Sequence, residues 1–375
     1  MYVSRIARPR LLPTTIAVPL LLLLPVSASA QGGGFYRQEN LVSDLHNFAQ
    51  VRDKTLVNPW GLSHSPDGPW QVSDNGTGLS TQYTSVGKEV SPAVSIPTPA
   101  GLKTAAPTGN VFNPTIDFVI SKNAKSFPSQ FIFATEDGTI SGFSPNVDST
   151  HAILAVDRSA VSQGGFTGAV YKGLALALSG SRTFLFATNF RFGMVEKFDA
   201  QFNLVASFTD PEVASMCPIP GPPAQCFAPF GIQSINDQVY VTFALQDAAH
   251  HDDVAGAGHG FVDVFDTDGK FIRRFATQGT LNSPWGLTLA PANFGAFSNA
   301  VLVGNFGDGR INAFNAMSGA FLGQLRSGNG DAIAISGLWG LAFGNGDLAG
   351  DPNTLFFTAG FNDEADGLFG SIVPE

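Results

Sequence analysis

The chain has 375 residues, a formal charge of −10 and only 13% charged residues. An acidic chain without a basic stripe cannot neutralise phosphates, so nucleic acid and anionic membrane surfaces are disfavoured as partners. The sequence also lacks a GxSxG elbow, an HExxH helix, a Walker loop and a dinucleotide fingerprint. Common hydrolase and nucleotide chemistry is disfavoured for that reason.

Residues 1–30 have the pattern of an export signal. The segment begins with three arginines, Arg5, Arg8 and Arg10. An apolar run centred on residues 20–24 follows, and small residues occupy positions 28–30. We expect cleavage before Gln31 and a secreted or periplasmic protein without a membrane span. A retained anchor is the alternative, although Pro13 and Pro19 interrupt the run and it is short for a span. The predicted domains are therefore a signal peptide, 1–30, and one domain, 31–375.

The only two cysteines, Cys217 and Cys226, lie in one proline-rich stretch. In an exported chain an even number of closely spaced cysteines predicts a disulfide. A metal pair or two free thiols are the other interpretations. No further Cys or His lies close by in sequence to complete a zinc site.

A phrase of aromatic, glycine and aliphatic residue recurs along the chain. It occurs at residues 58–62, 228–232, 283–287 and 337–341, with a weaker copy at Tyr171-Lys172-Gly173-Leu174. The glycines, Gly61, Gly173, Gly231, Gly286 and Gly340, are 112, 58, 55 and 54 residues apart. The first interval is two periods, so the spacing indicates six repeats of one supersecondary unit.

Each period contains four short β-type runs separated by turn residues. In the fifth unit they are residues 286–291, 300–306, 309–316 and 320–325. Six such units predict an all-β, six-bladed β-propeller with four antiparallel strands per blade. The last unit lacks an outer strand, so we expect the spare N-terminal strand, residues 41–48, to close it. The repeating aromatic is expected to pack between adjacent sheets.

In such a propeller the loop between the second and third strands opens on one face in every blade. Each of these loops contains an acid or amide, and together they are expected to surround one channel mouth. The candidate metal ligands are Asp74, Glu136, Asp247, Asn305, Asp363 and Asp366. Further candidate ligand-binding residues are Asn75, Asp137, Asn189, Arg191, Asp308 and Asn362. Gathered oxygens suit calcium or another divalent cation, but tight turns select the same residue types.

The stretch 247–259 contains three of the six histidines of the chain. His251 and Asp252 are the candidate general bases, because a histidine near acids can bind a metal or take a proton. The spacing matches no standard motif, and a solvated loop is the alternative. Arg191 can meet an anionic group of a ligand or form a structural ion pair.

Several strings together resemble an uncharacterised family of exported bacterial six-bladed propellers. They are NPWGL, SDNGTG, ATEDGTI, APFGI, HDDVAGAGHGFVDVFD, VGNFGDGRINAF, GLWGLAFGN and TAGFNDEADGLFGSI, within residues 38–373. Members often end in a Pro-Glu-Pro sorting tail, whereas this chain ends at Val373-Pro374-Glu375. The resemblance implies the fold and export but no activity. More distantly the blades are similar to NHL-type and gluconolactonase-like propellers.

Two functions follow from these patterns. The first is a monomeric, non-catalytic binding module whose acidic channel mouth holds a small molecule, a saccharide or an extracellular polymer. Calcium or another divalent cation is the candidate cofactor. The alternative is a metal-dependent hydrolase of the lactonase or esterase type, in which rim acids hold an ion that activates water. The absent catalytic motifs favour the first.

Overall fold

The computed structural model describes residues 1–2, 34–217 and 226–375. The predicted signal segment, apart from its first two residues, lies outside the described residues. Strands β1 (Tyr36–Ser43) and β2 (Val51–Arg52) come first in the chain. The first full sheet, blade 1, consists of β3 (Pro59–His64), β4 (Trp70–Asp74), β5 (Leu79–Tyr83) and β6 (Val94–Ser95).

Blade 2 is interrupted by a two-stranded ribbon, and a second ribbon follows it. The strands are β7 (Pro107–Phe112), the ribbon β8 (Val119–Lys122) and β9 (Lys125–Pro128), then β10 (Phe131–Thr135), β11 (Thr139–Phe143) and β12 (Ile153–Asp157). The second ribbon pairs β13 (Ser162–Gln163) with β14 (Phe166–Thr167).

Blades 3 and 4 have four strands each in chain order, with a short helix between them. Blade 3 is β15 (Tyr171–Ser179), β16 (Arg182–Asn189), β17 (Met194–Phe198) and β18 (Leu204–Phe208). Helix α1 (Pro211–Ser215) follows. Blade 4 is β19 (Phe227–Ile235), β20 (Gln238–Leu245), β21 (Gly260–Phe265) and β22 (Phe271–Thr277).

Blades 5 and 6 complete the ring. Blade 5 is β23 (Pro284–Leu289), β24 (Ala300–Asn305), β25 (Ile311–Asn315) and β26 (Phe321–Gln324), with a 3₁₀ turn at Gly295–Phe297. Blade 6 contains β27 (Leu338–Phe343), β28 (Leu355–Phe361) and β29 (Asp366–Pro374). Its sheet order is β2-β1-β29-β28-β27, so the N-terminal strand closes the last blade as predicted.

That closing strand begins five residues earlier than the sequence pattern suggested. β1 pairs antiparallel with β29 from Tyr36 opposite Pro374 to Ser43 opposite Leu368. The Tyr36 ring is fully buried, lies 5.0 Å from the Phe294 ring and donates its hydroxyl to the Phe294 carbonyl at 3.0 Å. The strand therefore starts where an aromatic side chain anchors it against blade 5.

The repeated glycine is required where inner strands cross near the axis. A Cβ on Gly61 would lie 2.6 Å from the Thr108 carbonyl oxygen, and one on Gly286 would lie 2.5 Å from the Trp339 carbonyl oxygen. The second unit has no recognisable copy of the repeated phrase. Its inner glycine is Gly109, where an added Cβ would meet the backbone of Leu174. Its preceding residue is Thr108 instead of an aromatic, which explains why that copy was not recognised.

The repeating aromatics meet on the axis. Trp60 stacks on Trp339 with ring centroids 3.5 Å apart, and Trp285 contacts both rings edge-on at 5.9 and 5.8 Å. Phe230, Phe190 and Phe306 are the other aromatic members of this cluster, which we call the aromatic plug. The expectation that these rings pack between adjacent sheets is therefore wrong: blades 1 and 5 are not neighbours, yet Trp60 and Trp285 touch. The position before the inner glycine projects into the channel, and the large apolar rings fill it.

Cys217 and Cys226 form a disulfide, as predicted, and it links the end of α1 to the start of β19. Asp210 caps the start of α1 by accepting the Glu212 backbone N–H at 2.8 Å. No helix among the described residues combines the length and the apolar composition that crossing a bilayer requires.

Candidate functional site

A continuous polar network lies at one end of the channel, directly against the aromatic plug, and we call this place the mouth. Its side chains come from loops and inner-strand starts of five blades, namely Glu364 of blade 6, Asn58 and Asn75 of blade 1, Glu136 of blade 2, Lys172 of blade 3, and His251 and Asp252 of blade 4. The loops between second and third strands of blades 1, 2, 4 and 6 thus contribute to the mouth network, and those of blades 3 and 5 do not.

Asn58 joins the plug to the acids of the mouth. The Trp339 indole donates to Asn58 Oδ1 at 3.0 Å, which fixes the orientation of the amide. Asn58 Nδ2 then donates to Glu364 Oε2 at 2.6 Å and to Asn75 Oδ1 at 3.3 Å. Asn58 has a φ of +46°, a left-handed conformation that asparagine tolerates, and Ser283, at the equivalent position of blade 5, has a φ of +47°.

The network continues through Glu136 to a buried lysine. Asn75 Nδ2 donates to Glu136 Oε2 at 3.0 Å, and Lys172 Nζ donates to Glu136 Oε1. Lys172 also donates to Asp252 Oδ1 at 3.2 Å, and that same oxygen lies 2.9 Å from His251 Nδ1. Each of these contacts runs from a donor towards a carboxylate oxygen, so Glu136 and Asp252 are held as acceptors.

Lys172 is the central cation of this network. Its side chain is only 2% exposed, and Nζ lies 5.1 Å from the centroid of the Trp60 ring and 5.7 Å from that of Phe190. Burial alone lowers the pKa of Lys172, but the charges of Glu136 and Asp252 outweigh it, and the net pKa is raised. The ammonium is therefore charged at neutral pH.

Two acids near Lys172, namely Glu364 and Asp253, change protonation close to neutral pH. Burial, with the negative charge of Glu136, raises the pKa of Glu364 to about 7. Burial also raises the pKa of Asp253 to about 6, and Ser283 and Lys172 oppose the shift. Such groups can accept or release protons under physiological conditions.

The two candidate bases behave as a pair. The hydrogen bond with Asp252 raises the pKa of His251, and the same contact, with Lys172, holds the pKa of Asp252 well below its usual range. His251 therefore carries a proton over a wider pH range than a free imidazole, and Asp252 stays ionised. The pair offers a fixed carboxylate and a partly charged imidazole at the edge of the mouth.

Of the predicted site residues, Asn75, Glu136, His251 and Asp252 take part in the network. Asp137 lies beside it and accepts the Ala106 backbone N–H at 2.9 Å, and burial raises its pKa. Asp247 accepts the backbone N–H groups of His251 at 2.8 Å and of Asp252 at 3.3 Å. Asp247 thus shapes the loop that presents the pair.

The other predicted residues make their contacts outside the mouth network. Asp74 is fully buried beside Asp53 and Thr81, and burial raises its pKa well above the usual value. Asn189 donates to Glu196 at 3.0 Å, and Asn305 donates to the Thr280 carbonyl at 2.8 Å. Asp308 accepts a hydrogen bond from Asn305 at 2.9 Å. Arg191 donates to the carbonyl oxygens of Thr167 and Gly168 at 2.9 and 3.2 Å.

The turn between β28 and β29 presents a different acid from the two that the sequence suggested. Asp366 accepts from Asn362 at 2.7 Å, and Asp363 is exposed. Glu364, between them, is the residue that reaches Asn58. Asn362, Asp363 and Glu364 all have positive φ, of 54°, 55° and 65°, and this left-handed run turns Glu364 inward.

Sequence reasoning missed Asn58, Lys172, Asp253 and Glu364. Lys172 carried a usable signal, because it occupies the position before the inner glycine where Trp60, Phe230, Trp285 and Trp339 stand in other repeats. A charged residue at a position that otherwise points an aromatic ring into the channel must lie on the axis. Its departure from the repeat marks the site.

The mouth also contains a group of side chains with metal-ligating atoms. One such atom from each of Glu136, His251 and Asp252 lies within 4.8 Å of the others. Three ligands of this kind suit a divalent ion. Lys172 Nζ is already bound to two of the three, so an ion there has to compete with an ammonium.

Six antiparallel sheets in a ring, with a polar mouth over an aromatic plug, define a six-bladed β-propeller. The sequence is similar to two uncharacterised proteins of Acanthamoeba polyphaga mimivirus. R648 is 31% identical over 336 residues, covering 89% of this chain and 79% of R648, and L690 is 31% identical over 338 residues, covering 89% and 85%. The chain belongs to the family of these proteins.

No family model matches the sequence. Among solved structures, the apo form of the soluble aldose sugar dehydrogenase of Escherichia coli is similar, with a TM-score of 0.50, 12% identity, and 91% of this chain and 100% of that chain covered. A likeness at this identity shows the fold alone. Membership of an exported bacterial family with a sorting tail stays a prediction.

Proposed function

We propose that this protein is an exported ligand-binding propeller that holds a polar, hydroxyl-bearing small molecule such as a saccharide at the mouth. The observation that supports this is the oriented network from Trp339 to Asp252. It joins five blades around the axis and leaves Glu136, Asp252 and Glu364 as acceptors for ligand hydroxyl groups. Oxygen acceptors beside aromatic rings are the groups that recognise polyols.

Export and a monomeric state belong to the same proposal. The disulfide between Cys217 and Cys226 is compatible with an oxidising compartment, where such bonds persist. A ligand site on the axis is complete within one chain, because all of its contributors come from the ring itself. Purification from culture supernatant or periplasm, followed by light scattering, tests both statements.

Ligand binding is tested with a panel of mono- and disaccharides and polyols, by thermal shift and then by calorimetry. We expect at least one of them to bind wild type, and the double variant Glu136→Gln/Glu364→Gln to weaken that binding at least tenfold. The matched control is Asp363→Asn/Asp366→Asn. It removes two acids from the turn that contains Glu364, and neither of them takes part in the network. Equal weakening by both variants, or no binding in wild type, contradicts the proposal.

A metal-dependent hydrolase is the second candidate, and the group Glu136, His251 and Asp252 favours it. An ion held there would polarise a substrate carbonyl, and Asp253 or Glu364 would take a proton from water. The cost is the neighbouring ammonium: two unit charges 4 Å apart interact by about 4 kcal/mol at an effective dielectric constant near 20, and a divalent ion doubles that. Turnover of lactones and esters that EDTA abolishes would support this candidate.

A further inference from the structure

We propose that the Lys172 ammonium is the resident cation of the mouth, and that Lys172 and a divalent ion exclude one another at Glu136 and Asp252. The mouth then recognises an uncharged organic ligand without a metal. The inference rests on the proposed function in one respect, since it takes the mouth to be the binding site.

The first argument is the position of the Lys172 nitrogen. It donates to Glu136 and, at 3.2 Å, to Asp252, and these carboxylates supply two of the three atoms that could ligate an ion. Residues 36 and 80 positions away in sequence thus converge on one ammonium. The ammonium therefore already occupies the position between these two carboxylates.

The second argument is the surface beneath the nitrogen. Nζ lies over the faces of Trp60, at 5.1 Å, and Phe190, at 5.7 Å. An ammonium is stabilised by aromatic faces, whereas calcium requires six to eight oxygen ligands. The side of the site formed by the plug offers rings rather than oxygens, and this matches an ammonium.

The third argument is the repeat itself. Four repeats place an aromatic ring before the inner glycine, and the third repeat places Lys172 there. The backbone geometry of the repeat therefore projects this side chain into the channel, and burial keeps it there. A cation fixed to the inner strand of blade 3 cannot leave, so the site carries its positive charge permanently.

Calorimetric titration with CaCl₂, MnCl₂ and ZnCl₂ tests the exclusion. We expect wild type to bind none of these ions at the mouth at concentrations up to about 1 mM, an affinity typical of the weakest protein calcium sites. The variant Lys172→Met removes the charge with a side chain of similar length, and it should bind at least one of the ions ten times more tightly or better. Lys172→Arg keeps the charge and should behave as wild type.

The gained site must use the same carboxylates. Adding Glu136→Gln to Lys172→Met should therefore abolish the new binding. Tight binding to wild type that Glu136→Gln removes would overturn the inference, and this measurement needs no Lys172 variant. A folded Lys172→Met protein, as judged by near-UV circular dichroism, that gains no affinity would overturn it as well.

Failure of this inference is distinguishable from failure of the proposed function. Saccharide binding to wild type in excess EDTA measures the proposed function alone. If saccharides bind in EDTA but wild type also binds calcium at Glu136, only the exclusion is wrong. If no saccharide binds while Lys172→Met gains a metal site, only the proposed function is wrong.

Discussion

Two regions of the molecule place a cation between carboxylates, and they differ in how far apart their members lie in the ring. At the mouth Lys172 contacts Glu136 and Asp252, and near helix α1 Arg274 contacts Asp263 and Asp210. The side chains of Asp263 and Asp210 are 0% and 4% exposed, whereas that of Asp252 is 64% exposed. The two acids nearest the Arg274 guanidinium are thus enclosed, and we call this the closed cluster, although a third acid, Glu212 at 3.8 Å, is 72% exposed. At the mouth one of the two acids that Lys172 binds is open to solvent.

The two clusters also differ in what they connect. Asp263 and Arg274 lie on neighbouring strands of blade 4, and Asp210 adds the cap of α1, so that cluster fastens one blade edge. The guanidinium also lies 4.6 Å from the centroid of the Phe261 ring. The mouth instead joins loops from distant parts of the ring. A closed local cluster serves stability, and an open convergent one is available to a ligand.

The largest expected effect is on the closed cluster. Burial raises the pKa of Asp263 to about 8, so at pH 7 Arg274→Met chiefly leaves the buried carboxylate of Asp210 without its cation. Removing one partner of a buried pair costs about 3 to 5 kcal/mol. We expect about 3 kcal/mol here, because Arg274 is 19% exposed. Lys172→Met should cost less, about 1 to 2 kcal/mol, since water can solvate Asp252. Urea unfolding at pH 7 measures both; an equal or larger loss for Lys172→Met would contradict the contrast.

The disulfide provides the next test, because it holds the other end of α1. Opening it with Cys217→Ser/Cys226→Ser should cost about 2.7 kcal/mol, from the entropy of a closed loop of about ten residues. In the Arg274→Met background the loss should be smaller, since α1 has already lost the ion pair at its cap. A double-mutant cycle in urea measures the coupling. Strict additivity would show that the two ends of the helix act independently.

The contrast between the regions could be predicted from the sequence only in part. The glycine spacing established the blade count, because close strand crossings near an axis leave room for no side chain. The turn loops of acids and amides predicted a polar mouth, and four of the six loops contribute side chains to the network there. These features are set by local backbone requirements, which recur in each repeat and are therefore visible in one chain.

The identity of the inward-facing residue in each loop could not be predicted in the same way. Among the acids of the last turn, the left-handed backbone at Asn362, Asp363 and Glu364 decides that only Glu364 reaches Asn58. Which acids lie in the blade, as Asp74 does, depends on packing between strands. Among the residues missed, Lys172 could have been identified from the sequence, because it departs from the repeat. That identification depends on knowing that this position of the repeat points into the channel.

Protonation of Glu364 gives a third test of the open site. Its pKa in the folded protein is raised to about 7, above the value of 4.5 in the unfolded chain, so the folded state binds the proton more tightly. Its contribution to stability is therefore present below pH 4.5 and is lost as the pH rises through 7. Glu364→Gln should remove this dependence, a difference on the order of 2 kcal/mol between pH 5 and 8. Urea unfolding across that range checks it, and parallel pH profiles for wild type and variant would count against the shifted pKa.

The smallest effect concerns the link between the plug and the mouth. Asn58→Gly retains the left-handed backbone at φ +46° without strain but removes the amide between Trp339 and Glu364. The hydrogen bond from Asn58 lowers the pKa of Glu364, so losing this bond should make Glu364 a roughly tenfold weaker acid. The free energy of unfolding at pH 8 should fall by about 1 kcal/mol. Carbon-13 NMR of the glutamate carboxyl groups follows that titration directly.

Asn362→Gly, also at a left-handed position but bound to Asp366, is the matched control and should leave the Glu364 titration unchanged. An unaltered titration in Asn58→Gly would mean that the network does not transmit charge between the plug and the acids.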